Sequence, residues 1–160
     1  VNNSYMGIPY EIGVHGGALY VADGGNHRIL VYSTIPTTAN AKPDFVVGQP
    51  TSSSCGINAG AGAATPSRSS LHFANSVAFR DNRMAVGDHT NGRVMFFDLP
   101  ISANGPLATH QIGQPSYTTA AIAPAAEGVF GSIKGLLFDG SHIWVVDGVY
   151  NRVQRVALPF

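Results

Sequence analysis

The sequence predicts an all-β chain built from one repeated unit, and three observations carry that prediction. A strand, turn, strand pattern occurs three times, as "LYVADGGNHRILVY" at 19–32, "MAVGDHTNGRVMFF" at 84–97 and "IWVVDGVYNRVQRV" at 143–156. Self-similarity at a long period marks a repeat architecture. No stretch keeps the i, i+3, i+4 spacing of apolar residues that a helix needs. Gly, Pro, Asp and Asn instead interrupt the apolar runs at short intervals, which is the punctuation of antiparallel strands.

Each unit opens on a short apolar strand, "YEIGV", "NSVAF" or "KGLLF", in which Ile12 and Val14 match Val77 and Phe79, and Leu136 and Phe138. The hairpin follows, and in it Asp23, Asp88 and Asp147 precede Arg28, Arg93 and Arg152 by five positions. An apolar-Pro step comes next, at Ile35-Pro36, Leu99-Pro100 and Leu158-Pro159. A last strand, "PDFVVGQ" or "ATHQIGQ", closes the first two units on "GQP" at 48–50 and 113–115. The strands are apolar on both sides, as sheets packed face to face require. Four antiparallel strands repeated at this spacing describe a propeller blade. The expected divisions are blade 1 at 1–50, an inter-blade loop at 51–70, blade 2 at 71–115, a second loop at 116–129, and an incomplete blade 3 at 130–160 that lacks its outer strand.

On these residues the chain resembles the NHL-repeat family of β-propellers. Asn26-His27 before Arg28 matches the Asn-His-Leu-type motif; Gly92 replaces the His in the second unit, and Tyr150 and Asn151 take both positions in the third. The "IPTT…VVGQP" ending is similar to a bacterial subgroup with long blades. The resemblance implies a ring of usually six blades, used mainly as a binding platform and in some relatives as an enzyme. Three units would be half of such a ring. An open arc exposes two blade-sized apolar faces, so a fragment of a longer chain or an assembly of copies is expected.

Composition narrows the partners. Only 11% of the 160 residues are charged, formal net charge is zero, and Lys42 and Lys134 are the only lysines. Without a basic run, the electrostatic term behind nucleic-acid binding is missing, so nucleic acid is set aside. No apolar run approaches the ~20 residues that span a bilayer, so no membrane span is expected. Cys55 is the single cysteine, which leaves no disulfide framework and no cysteine-based zinc site. Low charge with abundant Ser, Thr, Asn, Gly and Ala suits an extracellular or cell-surface location. "Asn2-Asn3-Ser4" also fits the N-glycosylation acceptor pattern.

The repeated charges read as structural. The Asp23 turn offers oxygen donors for calcium, but "DHTN" and "DGVY" do not keep them; only the Asp and the Arg persist. An Asp that accepts hydrogen bonds at a tight turn, paired with the Arg or with a neighbouring blade, fits all three copies. A site should therefore lie where the repeats differ. The hairpin turns and the long links share one face of the expected propeller, and the links read as ordered coverings of it. His27, His89, Thr90, Asn91, Tyr150 and Asn151 form the candidate contact surface. His15, His27, His72, His89, His110 and His142 show no metal-site spacing. The matching innermost positions are Glu11, Ser76 and Gly135, of which only Glu11 is a credible metal ligand, for instance to axial calcium. No Gly-x-Ser-x-Gly nucleophile pattern occurs. Trp144, which matches Tyr20 and Ala85, is expected to pack between blades.

These observations favour a non-enzymatic binding or structural scaffold that contacts a protein or glycan partner, or copies of itself, with no cofactor. The alternative is part of a propeller lyase or hydrolase whose axial metal site is completed by blades outside this chain.

Overall fold

β-Branched and aromatic residues interrupted by Gly and Asp turns give eleven strands among the described residues, 5–120 and 123–160, of a computed structural model. Asn2-Asn3-Ser4 lies outside those residues, as do positions 121 and 122 of the second link. The first sheet runs β1 (Pro9–His15), β2 (Ala18–Asp23), β3 (Arg28–Tyr32) and β4 (Phe45–Val47) in chain order, every pair antiparallel. The second repeats the plan with β5 (Ala74–Arg80), β6 (Arg83–Asp88), β7 (Arg93–Asp98) and β8 (His110–Ile112). The third holds β9 (Ile133–Asp139), β10 (His142–Asp147) and β11 (Arg152–Ala157). The chain is all-β, and two short 3-10 turns, Gly24–Asn26 and Ile57–Gly60, are the helical segments among the described residues.

The sheets stack face to face, with β5 between β1 and β9. Tyr20, Ala22, Ile29, Val31 and Val47 of the first sheet meet Val77, Met84, Val86, Met95 and Phe97 of the second. The opposite face of the second sheet sets Ala85, Val94 and Phe96 against Ile133, Ile143 and Val145 of the third. This explains the poor period-two alternation: the middle sheet has no solvent face, so both side-chain rows must be apolar. Each large side chain so buried contributes about 1.5–3 kcal/mol.

Two devices join neighbouring sheets. The apolar-Pro steps after the second and third hairpins reach back to the preceding sheet: Ile101 joins the core beside Tyr20 and Val31, and Phe160 lies 5.3 Å from the Phe96 ring and 5.0 Å from His110. Farther along the first of these links, Asn104 Oδ1 accepts the Val46 N–H at 3.0 Å and Gly105 N–H donates to the Val46 carbonyl at 2.9 Å. The outer edge of β4 is thereby covered, which removes a template for foreign strand pairing.

The two end faces are not equivalent. On the first sheet Ile12 and Val14 are exposed, while Val21, Leu30, Tyr32 and Val46 form a small cluster with Leu19 and Ala41. On the third sheet Leu137 and Val153 are 65% and 58% exposed. Trp144 departs from its expected place between sheets. It is 37% exposed and donates Nε1–H to Asp139 Oδ2 at 3.1 Å, with the Arg155 guanidinium 6.0 Å from its ring. The reason is positional: Tyr20 and Ala85 are covered by the next sheet, and no sheet among the described residues packs over the face that carries Trp144.

Candidate functional site

The three hairpin turns and the links gather at one end of the stacked sheets, and the Asp and Arg side chains are the pegs that hold them. A tight turn leaves backbone N–H groups unpaired, and a short carboxylate can accept them. Asp23 Oδ1 accepts the Gly7 N–H at 2.6 Å, Asp88 Oδ1 that of His72 at 2.7 Å, and Asp147 Oδ1 those of Gly131 and Ser132 at 3.1 and 3.2 Å. The second oxygen takes the arginine. Arg28 Nε reaches Asp23 at 2.8 Å and Arg93 Nε reaches Asp88 at 2.7 Å, all four side chains fully buried. Asn26 and Asn91 add Nδ2–H bonds to the same oxygens at 2.9 and 2.8 Å.

The guanidinium then ties two links together. Nη2 of Arg28 donates to the Tyr5 carbonyl at 3.1 Å, and Nη2 of Arg93 to the Ser67 and Ser70 carbonyls at 3.0 and 3.1 Å, all on the incoming link. Nη1 donates to the outgoing link, to Ser52 from Arg28 and to Tyr117 at 2.6 Å from Arg93. All three nitrogens of each planar fork donate, Nε to the carboxylate and Nη1 and Nη2 to fixed carbonyls of the links.

The third copy is looser. Arg152 Nε stands 3.5 Å from Asp147 Oδ2, and the arginine side chain is 27% exposed. Its Nη2 keeps the incoming carbonyls of Ala126 and Val129 at 2.8 and 2.6 Å. Tyr150 stands where Asn26 and Asn91 stand, so no amide bridges to the acid; its hydroxyl donates to the Ala123 carbonyl instead.

Of the candidate contact residues, Thr90 and Asn151 are exposed and Tyr150 is half-buried. Asn91 is not a contact residue: it is 1% exposed, its Nδ2–H groups divided between Asp88 and Asn58 Oδ1, the latter at 2.8 Å. The residue before each arginine is set by backbone geometry, since His27, Gly92 and Asn151 all have positive φ, 56°, 61° and 49°. That requirement favours Gly and Asn, which accounts for the drift of the motif at this position.

His27 and His89 come together with His72, which sequence spacing did not single out. The His27 and His72 rings meet edge-on with centroids 5.3 Å apart, and Phe73 bridges toward His89 at 5.6 Å. Phe73 N–H donates to His27 Nδ1 at 3.0 Å, so neutral His27 carries its proton on Nε2. His89 Nδ1 lies 2.7 Å from the Ile133 carbonyl, to which Asn75 Nδ2–H also donates at 2.7 Å. Burial pushes all three imidazoles below their ordinary range. His27 is lowered further by His72 and raised by Asp23; at His72 the Asp88 charge works against burial and the His89 charge with it; at His89 the hydrogen bond to Ile133 works against burial. His15 stacks on Phe79, His110 touches Phe160 and His142 faces Ser141, each away from this group.

Glu11 Oε2 accepts the Val77 N–H at 2.9 Å and so joins β1 to β5. Among the described residues no three His, Cys, Asp or Glu side chains gather as a metal cluster, and no helix is long and apolar enough to cross a membrane.

No family model matches the chain, and no curated protein matches it. Among solved structures the chain is similar to the computationally designed Ika4 protein, at 9% identity and TM-score 0.48 over 94% of this chain and 66% of that one. It is also similar to the computationally designed Ika8 protein, at 12% identity and TM-score 0.43 over 94% of this chain and 46% of that one, so it spans less than two thirds of either.

Proposed function

We propose that the chain is an NHL-type β-propeller segment serving as a non-enzymatic binding or structural scaffold. In this reading it is exposed outside a bacterial cell and contacts protein or glycan partners or copies of itself. One observation carries it: the charged groups most suggestive of chemistry are consumed by the backbone. Asp23, Arg28, Asp88 and Arg93 are fully buried, and their hydrogen bonds go to one another, to Asn26 and Asn91, and to the links. A carboxylate so engaged has no lone pair aimed at solvent with which to activate water or hold a cation. The groups left open on the same end, Thr90, Asn151 and the half-buried Tyr150, are neutral hydrogen-bonding and aromatic side chains of the kind that contact proteins and sugars.

Native mass of the particle, measured together with calorimetric titration of calcium and zinc, tests this. A multichain particle with no stoichiometric metal is expected. One equivalent of tightly held metal that is lost in Glu11→Gln would move the assignment to the axial-metal enzyme.

A further inference from the structure

We infer that the recess between the first two sheets, at the end opposite the Asp-Arg turns, binds one neutral pyranose ring, the terminal sugar of a glycan. The inference deepens the scaffold reading and rests on it for the class of partner. The β1–β2 turn, the β5–β6 turn and the apolar-Pro step after β7 meet there around a cavity of about 210 Å³. That is below the ~300–1,000 Å³ taken by drug-sized ligands, so it admits a single ring. Val31 and Ile101 are buried in its wall, while Gly16, Ser33, Asn82 and Pro100 are exposed and leave it open to solvent. The rest of a chain attached to the ring can therefore stay outside.

The hydrogen-bonding groups of the wall select the ligand class. Tyr20 lines the cavity at 2% exposure, and its hydroxyl has no hydrogen-bond partner among the described residues. Burial pushes this phenol above its ordinary range, so it keeps its proton and can donate. Its ring is held by Phe79, with centroids 4.8 Å apart, and His15 stacks on the same ring at 5.3 Å. The side chains of Ser33, Asn82 and His15, also in the lining, likewise have no hydrogen-bond partner among the described residues. No Asp, Glu, Lys or Arg lines the cavity. An ionic ligand would thus lose its water without gaining a counter-charge. A flat aromatic ligand would cover Leu99 and Ile101 but leave the buried hydroxyl unpaired. A pyranose meets both kinds of wall, with C–H groups for the apolar side and a rim of hydroxyls for Tyr20, Ser33, Asn82 and His15.

The matching recess at the next junction differs in kind. The repeat places Arg80, Asp81, Arg83 and Phe160 where His15, Gly16, Ala18 and Ile101 line the first. Those charges are met from within the chain. Arg80 Nε lies 3.3 Å from Asp81, and Arg83 Nε lies 3.4 Å from Asp98, with its guanidinium 3.6 Å from the Phe160 ring. The first recess has neutral, unpartnered groups in their place.

The test titrates the isotope-labelled chain with the methyl glycosides of glucose, galactose, mannose and N-acetylglucosamine, one at a time, and follows the amide shifts by nuclear magnetic resonance. At least one glycoside is expected to bind with a dissociation constant of about 1 mM, shifting Gly16, Ser33 and Asn82 and leaving the Asp23 and Asp88 turns in place. Tyr20→Phe, which keeps the ring on Phe79, should weaken binding about tenfold without lowering the thermal midpoint, because its hydroxyl has no partner to lose. Ser33→Ala, at the exposed rim, should weaken it about threefold, and Ile101→Phe, which brings in the residue of the next unit, should abolish it. The proposal is overturned if no glycoside shifts those amides in a chain whose spectrum is that of a folded protein. It is overturned too if Tyr20→Phe and Ser33→Ala both bind as well as the parent, or if phenol binds the recess more tightly than every glycoside. Native mass and metal uptake are read separately: failure here leaves the scaffold reading standing, and a stoichiometric metal would remove that reading without moving these shifts.

Discussion

The buried ion pair of the second sheet and its counterpart in the third use the same two residue types in the same geometry of strand and turn, yet only one is sealed. Arg93 is held by an acid, an incoming link and an outgoing link, at zero side-chain exposure; Arg152 has the acid at 3.5 Å and the incoming link alone. The difference teaches that the pair is not self-sufficient. Burial of two opposite charges is costly unless their remaining hydrogen bonds are met, and here the link that follows the fourth strand meets them.

The largest effect should come from breaking the sealed copy. Arg93→Ala leaves Asp88 buried without its counter-charge and should cost about 3–5 kcal/mol by urea unfolding, whereas Arg152→Ala removes a partner that already stands 3.5 Å from the buried Asp147 and is itself 27% exposed, and should cost less. Equal losses would show that the outgoing link contributes nothing. Next come the packing faces. Val94, fully buried, and Val153, 58% exposed, hold matching positions; Val94→Ala should cost about 2 kcal/mol from lost burial and a residual cavity, and Val153→Ala no more than ~0.5 kcal/mol.

A smaller effect depends on pH. His27 and His72 lie at the junction of the first two sheets and His89 reaches Ile133 of the third, with all three values lowered chiefly by burial. Unfolded histidine titrates near 6.5, so above about pH 7 both states are neutral and nothing is lost. As the pH falls through that value the unfolded chain takes up protons that the folded one resists, and stability declines toward the lowered folded values. The urea midpoint should therefore drop between pH 7.5 and 5.5, and drop less in His27→Gln; a midpoint unchanged over that range would contradict the assignment. Smallest is the turn position with positive φ. Asn151→Gly should stabilise by less than about 1 kcal/mol, whereas Gly92→Ala should destabilise, because the new methyl would meet the Phe130 carbonyl 2.6 Å away. Thermal melts of both variants suffice.

The strands and the Asp-Arg pairs were legible because their determinants are local. Runs of branched and aromatic residues, a polar turn and a carboxylate five residues before a guanidinium are visible in one unit and repeated in three. The links were not legible. Asn58 and Ala59 take positive φ within a Gly-Ala run, and no side-chain pattern announces that Asn58 will meet Asn91. His72 joins the other histidines only because the link returns over the inner strands. Asn91 read as a surface residue because it sits in a turn, and it is interior because the Ile57–Gly60 turn of the preceding link meets it through Asn58. Glu11, considered for a metal, has an oxygen on the Val77 N–H, a contact fixed by how two sheets stack and invisible in either strand alone.

The sharing of each arginine between two links also bears on how such a chain can be cut or copied. Arg28 takes carbonyls from Tyr5 and Ser52, and Arg93 from Ser70 and Tyr117, so no node lies wholly within one period of the repeat. Excising a unit at any boundary parts a guanidinium from one of its clamps. Whole periods could be duplicated or exchanged with every node restored, whereas a fragment ending between them would carry its last node half clamped.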